Sequence, residues 1–162
     1  MNTLHSPKLF RNLPMKHLFI LFFAAASLSS CLNNDTKADD PKVKAEAEKA
    51  LKDSANFTTI EWIDSIKTFG KIQEGPKLDI LYRFKNTGNK PLIIASVRPG
   101  CGCTVAEKPS KPVMPGQEGE IKAQFESQGH PGMNNKSITV QANTKPVQSF
   151  ELKFSVEVEK KG

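Results

Sequence analysis

No apolar run in this 162-residue sequence is long enough to cross a bilayer. The longest covers residues 18–28 and holds about eleven apolar or small residues, whereas a transmembrane helix needs about 20. Lys16 and His17 precede the run, and a short apolar core after a positive charge is typical of a signal peptide. We therefore expect an export segment here and no membrane-spanning helix.

Histidine is scarce, and the motifs that carry catalysis are missing. Of the three histidines only His130 lies beyond the export segment, because His5 and His17 precede residue 31. The sequence contains no nucleophile elbow, no paired-histidine zinc motif and no phosphate-binding loop. We expect a protein that is not an enzyme, has no catalytic residues and uses no cofactor.

Clustered positive charge is also missing. The formal net charge is +6, but Lys8, Arg11 and Lys16 all precede Cys31, which leaves 20 basic and 17 acidic residues after them. Those residues are interspersed, as in residues 118–126, and form no basic run that could neutralise phosphates. We expect neither nucleic acid nor a small-molecule substrate as a partner.

The motif Leu28-Ser29-Ser30-Cys31 follows the apolar run and resembles the lipobox of bacterial lipoproteins, in which the cysteine is acylated and becomes the first residue. The alternative is an ordinary signal peptide with an unrelated cysteine. We expect residues 1–30 to be removed, with Met15 as well as Met1 a candidate start, and Cys31 to be lipidated. Because two or three acyl chains anchor stably, we expect a protein bound to a membrane of the cell envelope, with its domain in the periplasm or at the cell surface.

Beyond Cys31 the sequence predicts a spacer and one β domain. Residues 31–56 are polar, and residues 42–52 are good helix formers with few apolar positions, which favours a partly helical spacer that docks weakly. From residue 57 to residue 160 apolar and polar side chains alternate, as in half-buried antiparallel strands. The apolar positions are Leu78, Ile80, Tyr82 and Phe84; Ile121, Ala123 and Phe125; Ile138, Val140 and Ala142; and Phe150, Leu152, Phe154, Val156 and Val158.

The sequences between these segments are rich in glycine, proline and asparagine, which indicates that they form turns. About seven short strands in roughly 105 residues predict an all-β, immunoglobulin-like antiparallel sandwich. The turns are Glu74-Gly75-Pro76, Asn86-Thr87-Gly88-Asn89, Pro115-Gly116, Gly129-His130-Pro131-Gly132 and Asn143-Thr144-Lys145-Pro146.

Four motifs occur together: Phe69-Gly70-Lys71-Ile72-Gln73-Glu74-Gly75, Phe84-Lys85-Asn86-Thr87-Gly88-Asn89-Lys90-Pro91-Leu92, Cys101-Gly102-Cys103-Thr104 and Pro115-Gly116. With the closing alternating strands, they resemble the bacterial family called domain of unknown function 1573 over residues 57–158. That family is similar to the immunoglobulin-like domains of major sperm protein, ciliary and PapD-type proteins. The resemblance implies this fold, and by analogy a binding or scaffolding role toward an unknown envelope protein.

Five residues in these motifs are predicted to form structural turns. Asn86 can accept hydrogen bonds from nearby backbone amides, and Pro115 fixes φ for a turn that Gly116 completes. Gly88 and Gly102 are expected at positive φ, where other side chains are strained.

With Cys31 lipidated, Cys101 and Cys103 remain as a candidate disulfide or thiol site. Residues two apart lie near the upper end of the Cα separations that a disulfide tolerates, about 4.4–6.8 Å, and Gly102 gives the backbone freedom to shorten this distance. A ring this small gains only about 1.5 kcal/mol in the chain-entropy description, so the bond would be easily reduced. A structural loop with free or bonded thiols, a redox-labile pair and a metal site all stay open.

A metal site would need ligands besides the two thiols, and we expect no metal. Zinc prefers four ligands, and the sequence offers His130 as a third. Cu(I) accepts fewer and softer ligands, and Met133 adds a thioether, so the metal candidates are Cys101, Cys103, His130 and Met133. Counting strand reversals predicts that His130 lies at the same end of the sandwich as the two cysteines.

Two functions from different classes therefore remain. The first is a membrane-anchored, non-catalytic immunoglobulin-like module for interaction or scaffolding. The second is copper-type metal binding or redox chemistry at the Cys101-Gly102-Cys103 loop.

Overall fold

The described part of the chain begins with a short helix whose N-terminus is capped by the preceding aspartate. The computed structural model describes residues 40–161, and helix α1 covers Pro41–Lys52. Asp40 is the N-cap, because its Oδ1 accepts a hydrogen bond from the amide of Lys42 at 2.8 Å. A 3₁₀ turn, Ser54–Asn56, leads into the strands. The expected export segment and Cys31 lie outside the described residues.

Within residues 40–161 eight strands form two four-stranded sheets, and the predicted immunoglobulin-like sandwich is confirmed. The first sheet has the order β1-β3-β6-β5 and the second β2-β8-β7-β4. The strands are β1 (Ile60–Trp62), β2 (Ile66–Gln73), β3 (Lys77–Asn86), β4 (Ile94–Pro99), β5 (Thr104–Glu107), β6 (Glu118–Glu126), β7 (Gly132–Ala142) and β8 (Ser149–Glu159).

The first strand is where the structure departs from the prediction. It is divided between the sheets: β1 pairs antiparallel with β3, the chain crosses at residues 63–65, and β2 pairs parallel with β8. The sandwich therefore has eight strands instead of about seven, and one of its strand pairs is parallel. Arg83 holds the crossing, because its Nε donates to Asp64 Oδ2 at 2.7 Å. This hydrogen bond lowers the pKa of the Asp64 carboxyl.

Alternation decides which side chains fill the space between the sheets. The predicted apolar positions are buried there, except that Leu78 and Phe150 are only partly covered. Trp62 closes one side, with its ring centre 5.4 Å from that of Phe84 and 5.7 Å from that of Phe150. Burial also raises the pKa of Tyr82 to about 12.

Helix α1 lies against β4 and confirms that the predicted spacer is partly helical. Ala47 and Ala50 are buried, and Leu51 on the same stripe is partly covered. Small side chains let the helix backbone lie close to the strand, which a count of large apolar residues does not detect. The Gln148 side chain fixes the helix end by donating to the Leu51 carbonyl at 2.8 Å.

A buried asparagine joins the loops at the end of the sandwich where β3 finishes, which we call the asparagine end. Asn86 is fully buried, and both its amide protons and its carbonyl oxygen are used. Its Nδ2 donates to the carbonyls of Lys90 and Val113, both at 2.8 Å, and its Oδ1 accepts from Thr58 Oγ1 at 2.9 Å and from the Gly88 amide at 3.1 Å. The Asn86 side chain therefore links segments that are far apart in sequence by hydrogen bonds.

The expectation of positive φ is wrong for two glycines. Neither Gly88 nor Gly102 adopts it, whereas Gly116 does, at φ 78° in the turn after Pro115. Gly88 is instead required by close approach, because a Cβ there would lie 2.7 Å from the backbone nitrogen of Thr59 and closer still to the Thr58 hydroxyl. At Gly102 a Cβ would meet nothing within 4 Å.

Candidate functional site

The cysteine loop, residues 100–103, connects the edge strands of the two sheets. It leaves β4 at the edge of the second sheet and enters β5 at the edge of the first. Backbone hydrogen bonds hold it on both sides: the Gly100 amide donates to the Ser137 carbonyl at 2.9 Å, and the Glu126 amide donates to the Cys103 carbonyl at 2.9 Å. The loop is thus built into the lateral wall of the sandwich.

Cys101 and Cys103 form a disulfide in this loop, with their Cα atoms 5.4 Å apart. Both residues are partly exposed, and Gly102 between them is exposed. The hydroxyl of Thr104, a buried residue, lies 3.6 Å from Cys101 Sγ. Because a disulfide sulfur carries no proton, the hydroxyl is the donor in this contact.

His130 lies at the same end as the disulfide, which confirms the strand count. In β5 and β6, Thr104 pairs with Phe125, so the cysteine loop adjoins the end of β6, and the turn that carries His130 follows directly. That turn is held by the His130 amide, which donates to the Ser127 carbonyl at 3.1 Å. The imidazole ring rests against Phe125, with ring centres 5.9 Å apart.

The four metal candidates do not form a site in the part of the chain that the structure describes. The two sulfurs are bonded to each other, so neither is a free thiolate ligand. Met133 is 65% exposed on β7, where it pairs with Glu157 of β8. Among residues 40–161, histidine, cysteine and acidic side chains form no group of three or more that could hold a metal ion.

Strand edges are the other feature of the surface that can bind a partner, because an unpaired edge offers free backbone donors and acceptors. Three of the four edges are short or covered: β1 has three residues and β5 four, while β4 is packed by α1 and its Ala95 carbonyl accepts from Lys108 Nζ at 3.0 Å. The eight-residue strand β2 has no neighbour on its outer side within residues 40–161.

Exposed isoleucines adjoin this edge. Ile66, the first residue of β2, is 71% exposed, and Ile63 in the crossing is 43% exposed. Beside Ile66 the outer face of the second sheet carries a groove of about 400 Å³, whose lining includes Asn135, Ser137 and Lys153. This surface was not among the sequence-based expectations, although Ile66 and Thr68, two β-branched residues in alternation, are a signal for a strand.

A larger groove, of about 490 Å³, lies elsewhere, and its lining does not indicate which kind of ligand it would bind. It opens where the chain leaves β5 and passes Pro109 and Pro112 before β6. Its lining includes three lysines and three glutamates, which favour no sign of ligand charge. They are Lys108, Lys111, Lys122, Glu107, Glu118 and Glu120.

The family model described as "Protein of unknown function (DUF1573)" matches residues 60–158. No curated protein matches the sequence. In residues 40–161 no helix is long and apolar enough to cross a membrane.

Two solved structures are similar in fold. A protein of unknown function from Porphyromonas gingivalis superposes with a TM-score of 0.58 at 16% identity, over 65% of this chain and 49% of that one. This chain therefore spans about half the length of that protein. A PapD-like domain of human CEP192 has a TM-score of 0.50 at 11% identity, over 66% of this chain and 89% of that domain. At these identities the similarity concerns the fold alone.

Proposed function

Because the chain belongs to the DUF1573 family of proteins of unknown function, we propose that it is a membrane-anchored, non-catalytic module of the bacterial cell envelope that binds a protein partner along the free edge of β2. The observation that carries the proposal is the long edge of β2, which no described residue pairs with, in a sandwich whose other edges are short or covered. An extended peptide added to such an edge gains affinity from backbone hydrogen bonds and specificity from neighbouring pockets.

The backbone of β2 presents its free groups near the exposed isoleucine. The amide of Lys153 in β8 donates to the Ser65 carbonyl at 2.9 Å, so residue 65 faces the sheet. Since neighbouring residues in a strand alternate, the backbone groups of Ile66 and Thr68 point away from β8. A partner strand would pair with these groups, and one of its side chains would enter the groove beside Ile66.

A bulge limits how far a partner strand can extend. The register of β2 against β8 shifts between Phe69 and Lys71, at Gly70. Bulges twist an edge and interrupt pairing, which protects it from open-ended association. The flat part of the edge is therefore residues 66–69, and the proposed partner contributes a short extended segment of about four residues.

A photoreactive amino acid in place of Ile66, in the full chain in its native membrane, should give one discrete cross-linked adduct. Val105 is the matched control, because it is 62% exposed on the short edge strand β5 and should give none. Combining the Ile66 probe with Thr68→Pro, which removes an outward N–H, should abolish the adduct while the thermal midpoint stays within about 3 °C.

Equal labelling from positions 66 and 105, or an adduct that survives Thr68→Pro, would contradict binding along this edge. An adduct of twice the mass of the chain would show self-association and would overturn the proposal of a different protein as partner.

The proposed anchor is the acylated Cys31, and Cys31→Ser should move the protein from the membrane to the soluble fraction. Residues 18–28 are too short to hold it in a bilayer unaided, whereas two or three acyl chains hold stably. Fractionation with immunodetection measures the distribution, and Cys103→Ser is the control that should stay in the membrane pellet. A Cys31→Ser protein that still sediments with the membrane would exclude a lipid anchor at this residue.

A further inference from the structure

The Cys101–Cys103 disulfide lies where another molecule can reach it. Both cysteines are partly exposed, Gly102 is exposed, and a side chain built on Gly102 would meet nothing within 4 Å. An attacking thiolate needs access to one sulfur of a disulfide. The exposed part of each cysteine provides that access next to the open space over Gly102, although Cys103 also packs partly against the hydrophobic core.

The disulfide does little to hold the sandwich together. It links residues two apart, so it closes a very small ring and removes little conformational freedom from the unfolded chain. The loop is positioned instead by backbone hydrogen bonds from Gly100 to Ser137 and from Glu126 to Cys103. None of these bonds involves a sulfur atom, so the loop keeps its position when the disulfide opens.

The contact with Thr104 distinguishes the two sulfurs. The Thr104 hydroxyl lies 3.6 Å from Cys101 Sγ, and Thr104 is held in β5 by pairing with Phe125. A hydroxyl that already donates toward this sulfur would donate more strongly to a thiolate, because a hydrogen bond to an ionised group is the stronger kind. Cys101 is therefore the better leaving group when the disulfide is attacked.

We propose that the Cys101–Cys103 disulfide is a thiol–disulfide exchange site that accepts two electrons from an external dithiol. A thiolate of the dithiol attacks Cys103 Sγ, the bond between the two cysteines breaks, and Cys101 leaves as a thiolate that the Thr104 hydroxyl stabilises. The second thiol of the donor then attacks the mixed disulfide and releases Cys103. The donor ends as a disulfide, and its two protons end on Cys101 and Cys103. Thr104 acts as a positioning residue.

The test uses the full chain carrying Cys31→Ser, so that only Cys101 and Cys103 can contribute thiols. Dithiothreitol is the probe dithiol, and thiols are counted by alkylation and mass spectrometry under native conditions. Two thiols should appear while the circular dichroism spectrum is unchanged, and the thermal midpoint should move by less than about 3 °C. A disulfide that opens only when the domain unfolds, or a midpoint that falls by more than about 10 °C on reduction, would show a structural bond and overturn the proposal.

Thr104→Val tests the positioning role with a side chain of the same shape. Native reduction should slow about tenfold, and in a Cys103→Ser background the pKa of the Cys101 thiol should rise. Thr104→Ser should restore both values, and Thr87→Val, an exposed threonine at the asparagine end, should change neither. If Thr104→Val reduces at the parent rate with the parent thiol pKa, Thr104 does not stabilise the leaving thiolate.

Discussion

Replacing Asn86 with alanine should lower the free energy of unfolding by about 3–4 kcal/mol, a large fraction of the 5–15 kcal/mol typical of a domain. The side chain is fully buried and makes four hydrogen bonds. Its removal takes away the side-chain donor of the Lys90 carbonyl and the acceptor of the Gly88 amide, and it leaves the Val113 carbonyl with the Leu92 amide as its remaining donor. An unpaired buried polar group costs more than the net value of the bond it has lost.

Chemical denaturation of the full chain carrying Cys31→Ser measures this loss. Asn135→Ala is the matched control, because Asn135 is exposed on β7 and its replacement should change stability by less than about 0.5 kcal/mol. A loss below about 1 kcal/mol at Asn86 would mean that water replaces the amide, and that the asparagine end is not fixed by this residue.

The alternation of apolar residues was enough to predict the sandwich and most of its core. Each predicted run from Ile80 to Val158 places its apolar side chains between the sheets, because a strand separates its two faces with a period of two. The turn sequences between the runs predicted where the chain reverses. Both signals are local, so they can be read without knowing which strands pair.

Pairing between distant strands could not be predicted in the same way. Ile66 and Thr68 indicate a strand, but only the pairing of β2 with β8 shows that this strand is parallel and lies at an edge. The contact between α1 and β4 depends on distant segments in the same way. Ala47 and Ala50 bury little area, and their importance depends on the strand that the helix approaches.

The candidate site was predicted in part. The spacing of Cys101 and Cys103 indicated a feasible bond, and strand counting put His130 at their end of the sandwich. The contact between the Thr104 hydroxyl and Cys101 Sγ could not be predicted, because it depends on a side-chain orientation that the buried start of β5 determines. The residues of the motif do not by themselves predict how the Thr104 side chain is oriented.

Gly88→Ala should lower the free energy of unfolding, whereas Gly102→Ala should leave it equal or raise it. At Gly88 the new Cβ would overlap the Thr58 hydroxyl and lie 2.7 Å from the Thr59 nitrogen, which belongs to the backbone. The loop must then move away from Thr58 and Thr59 and lose the hydrogen bond from the Gly88 amide to Asn86, so we expect a loss of about 2–3 kcal/mol. At Gly102 nothing opposes the Cβ, and alanine restricts the unfolded chain, so stability should stay equal or rise by up to about 1 kcal/mol.

Thermal and chemical unfolding of the two variants, measured side by side in the Cys31→Ser chain, distinguishes close approach from backbone strain. If positive φ were the reason for both glycines, both replacements would cost about 1 kcal/mol, because the strain of an alanine there does not depend on its neighbours. Steric overlap predicts a cost at Gly88 alone. A Thr58→Ser change in the Gly88→Ala background should recover little, since the serine hydroxyl and the Thr59 nitrogen remain in place. Equal losses at both positions would contradict the geometry of the cysteine loop as well as that of the Gly88 turn.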